Sequence, residues 1–85
     1  MKYVFVDESW EDYLYWQKTY KKKLQRINEL LRDIARQPFD GIGKPEPLKH
    51  QLAGYWSRRI DEEHQLIYTV RGDEILIAKC RFHYD

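Results

Sequence analysis

Eighty-five residues with 42% hydrophobic and 15% aromatic content describe one small folded domain spanning residues 1–85, which excludes a disordered tail or a second domain. The formal net charge is only +1, but from Lys44 to Ile60 the basic residues Lys44, Lys49, Arg58 and Arg59 face a single acid, Glu46, and a local basic surface matters more to a polyanion than total charge does. No apolar run approaches transmembrane length, and Met1–Val6 is followed at once by Asp7 and Glu8, so a cytoplasmic protein without membrane contact is expected.

Lys2 to Val6 has the aromatic and β-branched character of a strand. Ser9-Trp10-Glu11-Asp12 reads as a capping box, and the helix behind it runs to about Tyr20 with Trp10, Tyr13 and Leu14 on its inner face. Leu24, Ile27, Leu30, Leu31 and Ile34 form a second, cleaner amphipathic stripe, which stops near Gln37 because Pro38 disfavours the helical conformation in the residue before it. The two helices pair as a hairpin. From Pro38 to Lys49 the periodicity disappears, and Pro38, Pro45, Pro47, Gly41 and Gly43 predict an ordered loop. Tyr55–Ile60, Gln65–Val70 and Glu74–Phe82 read as strands joined by turns at Asp61-Glu62-Glu63 and Arg71-Gly72-Asp73. An Arg-Gly-Asp at a hairpin turn is explained by the positive φ that glycine supplies there, not by adhesion. The expected fold is α+β: two helices on one face of a small antiparallel sheet, in the order β-α-α-β-β-β.

Strand alternation then assigns faces. Leu76, Ala78, Cys80 and Phe82 are placed on the core side, which makes the single cysteine a buried structural thiol. Lys79, Arg81 and His83 are placed on the opposite face, where Arg59 joins them from a neighbouring strand. A purely solvated basic face is the alternative for that surface. Metal-free RNA cleavage requires a base for the 2′-OH, an acid for the 5′-oxygen and fixed positive charge at the phosphate. Glu46, restrained between two prolines and flanked by Lys44 and Lys49, is the best candidate base, and His83 is a candidate acid. His50 and His64 form no metal-ligand spacing with His83, so neither a metal nor another cofactor is expected.

Four segments together resemble the YoeB toxins of the RelE superfamily: Glu8-Ser9-Trp10-Glu11-Asp12-Tyr13, Gly41-Ile42-Gly43-Lys44-Pro45-Glu46-Pro47-Leu48-Lys49, Gly54-Tyr55-Trp56-Ser57-Arg58-Arg59-Ile60 and Phe82-His83-Tyr84. The resemblance spans essentially the whole chain without a gap. It implies a ribosome-dependent messenger-RNA endonuclease of a type II toxin–antitoxin system, acting in the decoding site to inhibit translation. It further implies a cognate antitoxin similar to YefM, a homodimer, and contact with operator DNA only through the antitoxin. By the same resemblance Glu46 is the general base and His83 the general acid, with Tyr84 orienting the substrate or the acid. Lys49 and Arg59 bind the phosphate, and Lys44, Gln65 and Arg81 complete the RNA-binding set. The chain departs from the family pattern at Gln65, where the family has an arginine near the scissile phosphate, and at Asp85, which follows the usual terminal tyrosine. Glutamine donates a hydrogen bond but lacks the charge and the bidentate fork. Two further readings stay open: a weakened toxin acting mainly as an antitoxin-binding corepressor module, and a ParE-like relative acting on DNA topology, which does not call for Glu46 and His83 in these settings.

Overall fold

A computed structural model describes residues 1–82. Its elements are β1 (Lys2–Phe5), α1 (Asp7–Thr19), α2 (Lys21–Arg36), β2 (Glu46–Pro47), a 3₁₀ turn (His50–Leu52), β3 (Trp56–Arg59), β4 (Gln65–Arg71) and β5 (Glu74–Lys79). The α+β arrangement is the expected one, with the helices on one face of a five-stranded sheet ordered β1-β5-β4-β3-β2.

The amphipathic stripe of α2 behaves as its spacing predicts. Ile27, Leu30, Leu31 and Ile34 are buried, and the helix ends at Arg36 with Gln37 as its cap. In α1 the inner face differs from expectation. Trp10 is 45% exposed, and Trp16, 5% exposed, is the buried anchor. Trp16 can sit inside because its Nε1–H finds the Cys80 carbonyl at 2.8 Å, while Trp10 stays at the rim, packed with Phe5 and Tyr13. Ser9 is not the N-cap either. Val6 caps α1, and the buried Ser9 hydroxyl accepts the Val6 N–H at 3.0 Å and donates to the Ile77 carbonyl at 2.6 Å, which ties the helix start to the sheet. Asp12, expected to reach back to the cap, accepts the Cys80 N–H at 3.1 Å.

The sheet is antiparallel from β2 through β5 but mixed overall, because β1 runs parallel to β5. β4 occupies one side of β5, so the first strand can join only the other side. A two-residue strand, β2, also appears inside the expected loop, where Glu46 and Pro47 pair with Ser57 and Trp56. An edge position tolerates a proline that has no N–H to give.

Alternation along β5 holds the reverse of the expected face. Ile75 and Ile77 are in the core and Leu76 and Ala78 are only half-buried. A bulge then shifts the register, since Tyr68 pairs with Ile77 but Ile67 pairs with Lys79, and the extra residue brings Cys80 back into the core. β5 ends at Lys79, so Phe82, expected inside the strand and the core, is 47% exposed at a φ of 64°.

Two polar side chains occupy the core between α2 and β3. Arg58 has no exposed surface and Asp33 is 3% exposed, and their charges meet at 2.6 Å. Arg58 also donates to the carbonyls of Gln37, Asp40 and Ile42 and to the Tyr68 hydroxyl. Burial acts to raise the Asp33 carboxyl, but hydrogen bonds from Gln37, the Ile42 N–H, Arg58 and Arg36 outweigh it and hold the group well below the usual carboxylate range.

Removing one partner from such a pair strands the other charge, so Asp33→Asn should destabilise the fold by about 3–5 kcal/mol in urea unfolding. Because the folded-state pKa is depressed, the contribution of Asp33 is fully present above the unfolded carboxylate value of about 3.9 and fades as pH falls from there toward the folded value. The difference in stability between wild type and Asp33→Asn should therefore shrink below about pH 4.

Candidate functional site

Directly opposed residues of antiparallel strands point to the same face. Trp56, Tyr68 and Leu66 pack against or within the core, so their alternates Ser57, Arg59, Gln65, Ile67 and Thr69 belong to the face away from the helices. Glu46 pairs with Ser57 and Arg59 pairs with Gln65. This register sets the Glu46 backbone diagonal to Arg59, at about 7–8 Å, with Gln65 directly beyond. Glu46 and Arg59 are both exposed. The surface between them is less open than alternation predicts, since Ser57, Ile67 and Thr69 are buried.

The approach of the loop that carries Glu46 is fixed at Gly43. Its carbonyl accepts the Arg59 N–H at 2.7 Å, and its φ is 80°. A Cβ there would lie 2.8 Å from Leu30 Cδ2 and 3.2 Å from the Arg59 carbonyl oxygen, so only glycine permits this approach of loop to strand. Lys44 follows at a φ of 53° and lines a cleft with Arg59 and Arg26, opposed by Asp61 and Glu62. Lys49 is exposed and begins the 3₁₀ turn just past β2. The structure thus brings Glu46, Lys44, Arg59 and Gln65 to neighbouring positions, with Lys49 two residues beyond the strand.

Of the expected column of Lys79, Arg81 and His83, Lys79 keeps its place on this face, because it pairs with Ile67, whereas Arg81 does not. The Lys79 ammonium lies 4.0 Å from the Glu8 carboxylate of α1, and the Arg81 guanidinium lies over the Tyr15 ring of α1, 3.6 Å from its centroid. Strand alternation does not extend to Arg81, because β5 has already bulged and ended. His83, Tyr84 and Asp85 lie outside the described residues. The chain enters them from Phe82, whose carbonyl accepts the Gln65 N–H at 2.8 Å and whose N–H donates to His64 Nδ1 at 2.7 Å.

Of four residues behind this site, the sequence does not single out Asp33, marks Gly43 only as a loop glycine and His64 only as a histidine outside any metal-ligand spacing, and counts in the basic surface Arg58, which is instead fully buried. The signal for two of them was present: an acid on the inner stripe of α2, and adjacent arginines in one strand, of which alternation turns only one outward. Among the described residues no three His, Cys, Asp or Glu side chains are grouped to hold a metal ion. Burial pushes the Cys80 thiol up to about 12, which marks it as structural rather than nucleophilic. A second groove, at β1, is lined by Tyr3, Phe5, Trp10, Tyr13 and Leu31 with Asn28 and Arg32; it is predominantly apolar and brings no carboxylate or imidazole. No helix is long and apolar enough to cross a membrane among the described residues.

A family model described as a YoeB-like toxin of a bacterial type II toxin–antitoxin system matches residues 5–84. Toxin YoeB of Escherichia coli is 61% identical over 84 residues, covering 99% of this chain and 100% of its own. Toxin YoeB of Synechocystis is 61% identical over 84 residues, covering 99% and 98%. Among solved structures, a YoeB/ParE toxin from Agrobacterium tumefaciens superposes with a TM-score of 0.97 at 50% identity, covering 99% of this chain and 100% of its own. The YoeB dimer from Staphylococcus aureus gives 0.93 at 49%, covering 99% and 98%, and a YoeB–YefM complex from that organism gives the same values.

Proposed function

The chain belongs to the YoeB-like toxins of bacterial type II toxin–antitoxin systems, and on that premise we propose that it is a ribosome-dependent endoribonuclease, cutting messenger RNA in the decoding site by general acid–base chemistry without a metal ion. The observation that carries this reading is the sheet register that sets Glu46 diagonal to Arg59, with Gln65 opposite Arg59. Support comes also from Phe82, the residue before His83, being bonded through both its N–H and its C=O to the start of β4.

In this reading the Glu46 carboxylate takes the proton of the 2′-OH, the freed oxygen attacks phosphorus, and His83 protonates the departing 5′-oxygen, leaving a 2′,3′-cyclic phosphate. Arg59 and Lys49 meet the charge that builds on the non-bridging oxygens. Lys44 binds the RNA backbone, Gln65 donates a neutral hydrogen bond, and Tyr84 orients the substrate or the acid. Arg81, stacked on Tyr15, meets a more distant phosphate. The ribosome supplies alignment that a site of this size lacks, since proximity and orientation account for about 7–11 kcal/mol of a barrier. The partners that follow are an antitoxin similar to YefM, operator DNA reached through it, and a second copy of the chain; a YoeB–YefM complex and a YoeB dimer are known from Staphylococcus aureus.

Glu46→Ala and His83→Ala should each abolish most cleavage of translated message by primer extension while leaving ribosome binding nearly intact, because docking rests on the cations and weakens as salt rises. Wild-type cleavage by both variants would remove these residues from the mechanism. Single-turnover cleavage of one message should require ribosomes; equal rates with and without them would make this a free ribonuclease.

Gln65 favours a second reading, a weakened toxin that serves mainly as the antitoxin-binding part of an operator repressor. One preorganised cationic contact is worth on the order of a hundredfold in rate, so Gln65→Arg should raise the single-turnover rate at saturating ribosome, with a smaller change in affinity. An unchanged or lower rate would mean that the site is built around glutamine.

A further inference from the structure

We propose that His64 is a positioning residue for the reaction: its imidazole fixes the backbone at Phe82 and so sets where His83, next in the chain, delivers its proton. The inference rests on the reading of His83 as the general acid.

His64 is 8% exposed and is held on every side. Its N–H donates to Asp61 Oδ1 at 2.7 Å, and its carbonyl accepts from Ile60 at 2.9 Å and from Asp61 at 3.3 Å. Asp61 is in turn paired with Lys23 of α2. The imidazole stands edge-to-face on Trp16, with centroids 4.8 Å apart and planes at 80°, and Trp16 is anchored through the Cys80 carbonyl. A ring fixed in this way presents Nδ1 as an acceptor at a set point, and the Phe82 N–H meets it at 2.7 Å.

Phe82 needs such a partner. β5 has ended three residues earlier, and a φ of 64° is a conformation that an aromatic residue keeps only where its surroundings determine it. The bond to His64 and the bond from the Gln65 N–H restrain the peptides on both sides of Phe82. The second of these leads directly into His83. His64 therefore acts through the backbone, without touching substrate.

His64→Asn keeps an acceptor close to the place of Nδ1, whereas His64→Leu removes the acceptor and still fills the space against Trp16. Folding is checked by thermal unfolding and near-ultraviolet circular dichroism, and His64→Phe replaces the leucine variant should that one not fold. In single-turnover cleavage of a ribosome-bound message, His64→Leu should lower the rate by about tenfold to a hundredfold, the scale of a misplacement of about 1 Å. The ribosome concentration for half-maximal rate should hardly move, and His64→Asn should return the rate to within about threefold of wild type. Exchange of the Phe82 amide hydrogen should be faster in the leucine variant and slow in the asparagine variant. Wild-type cleavage by folded His64→Leu, or equal loss in the asparagine and leucine variants, would overturn the positioning role alone. A wild-type protein that cuts no message on the ribosome would instead overturn the ribonuclease reading, and the role of His64 with it.

Discussion

A guanidinium withdrawn completely from water cannot be left with any donor unmet, and Arg58 meets this demand by joining α2, β3, β4 and the segment between α2 and β2 at one point. Its value lies in geometry. Taking both charges out of water offsets much of what their attraction contributes, so the pair says little about net stability. What it does is specify: the carbonyls of Gln37, Asp40 and Ile42 have to converge on one side chain, and Asp33 has to face it. A segment with no helical or strand ladder of its own thereby gains a fixed path. Among the described residues no buried side-chain nitrogen or oxygen lacks a partner, so the network is complete enough to hold that path without residual cost.

Because Arg58 points inward, its neighbour Arg59 points outward, and the two arginines connect the core to the candidate site over a single residue. The Gly43 carbonyl accepts the Arg59 N–H, and three residues later Glu46 enters the sheet beside Ser57. The proposed carboxylate and the proposed phosphate-binding cation are thus set against each other by backbone hydrogen bonds on adjacent strands. Their own side chains remain exposed and available. Polar groups carried on hydrogen-bonded strands are held more precisely than groups on loops.

The opposite end of the site is built by a different device. β5 bulges after Ile77 and stops at Lys79, which stays on the face of its partner Ile67, while Arg81 turns to the Tyr15 ring of α1. What then aims the chain toward its terminus is the pair of hydrogen bonds at Phe82. Trp16 and His64 link that point to α1, and Asp61 with Lys23 links it to α2. The helices, which contribute none of the proposed acid–base groups, nonetheless determine where the C-terminal segment begins.

The amino-acid sequence by itself determined the α2 stripe, its end before Pro38, the strand segments and the hairpin turn at Gly72, because each depends on side-chain periodicity or on backbone restrictions local to a few residues. It also carried the motif around Glu46 and the resemblance that names the family. Tertiary structure decided the rest. The parallel pairing of β1 with β5 joins residues about seventy positions apart, and no local pattern encodes which free edge a first strand will find. The bulge in β5 reversed a face assignment, because alternation fails wherever one strand carries a residue its partner does not match. Trp16 replaced Trp10 as the buried ring of α1 because a carbonyl was available to its indole N–H, and Asp33 went inside because Arg58 was there to meet it. A polar group's place depends on a partner distant in sequence, and that partner is chosen only when the chain has folded.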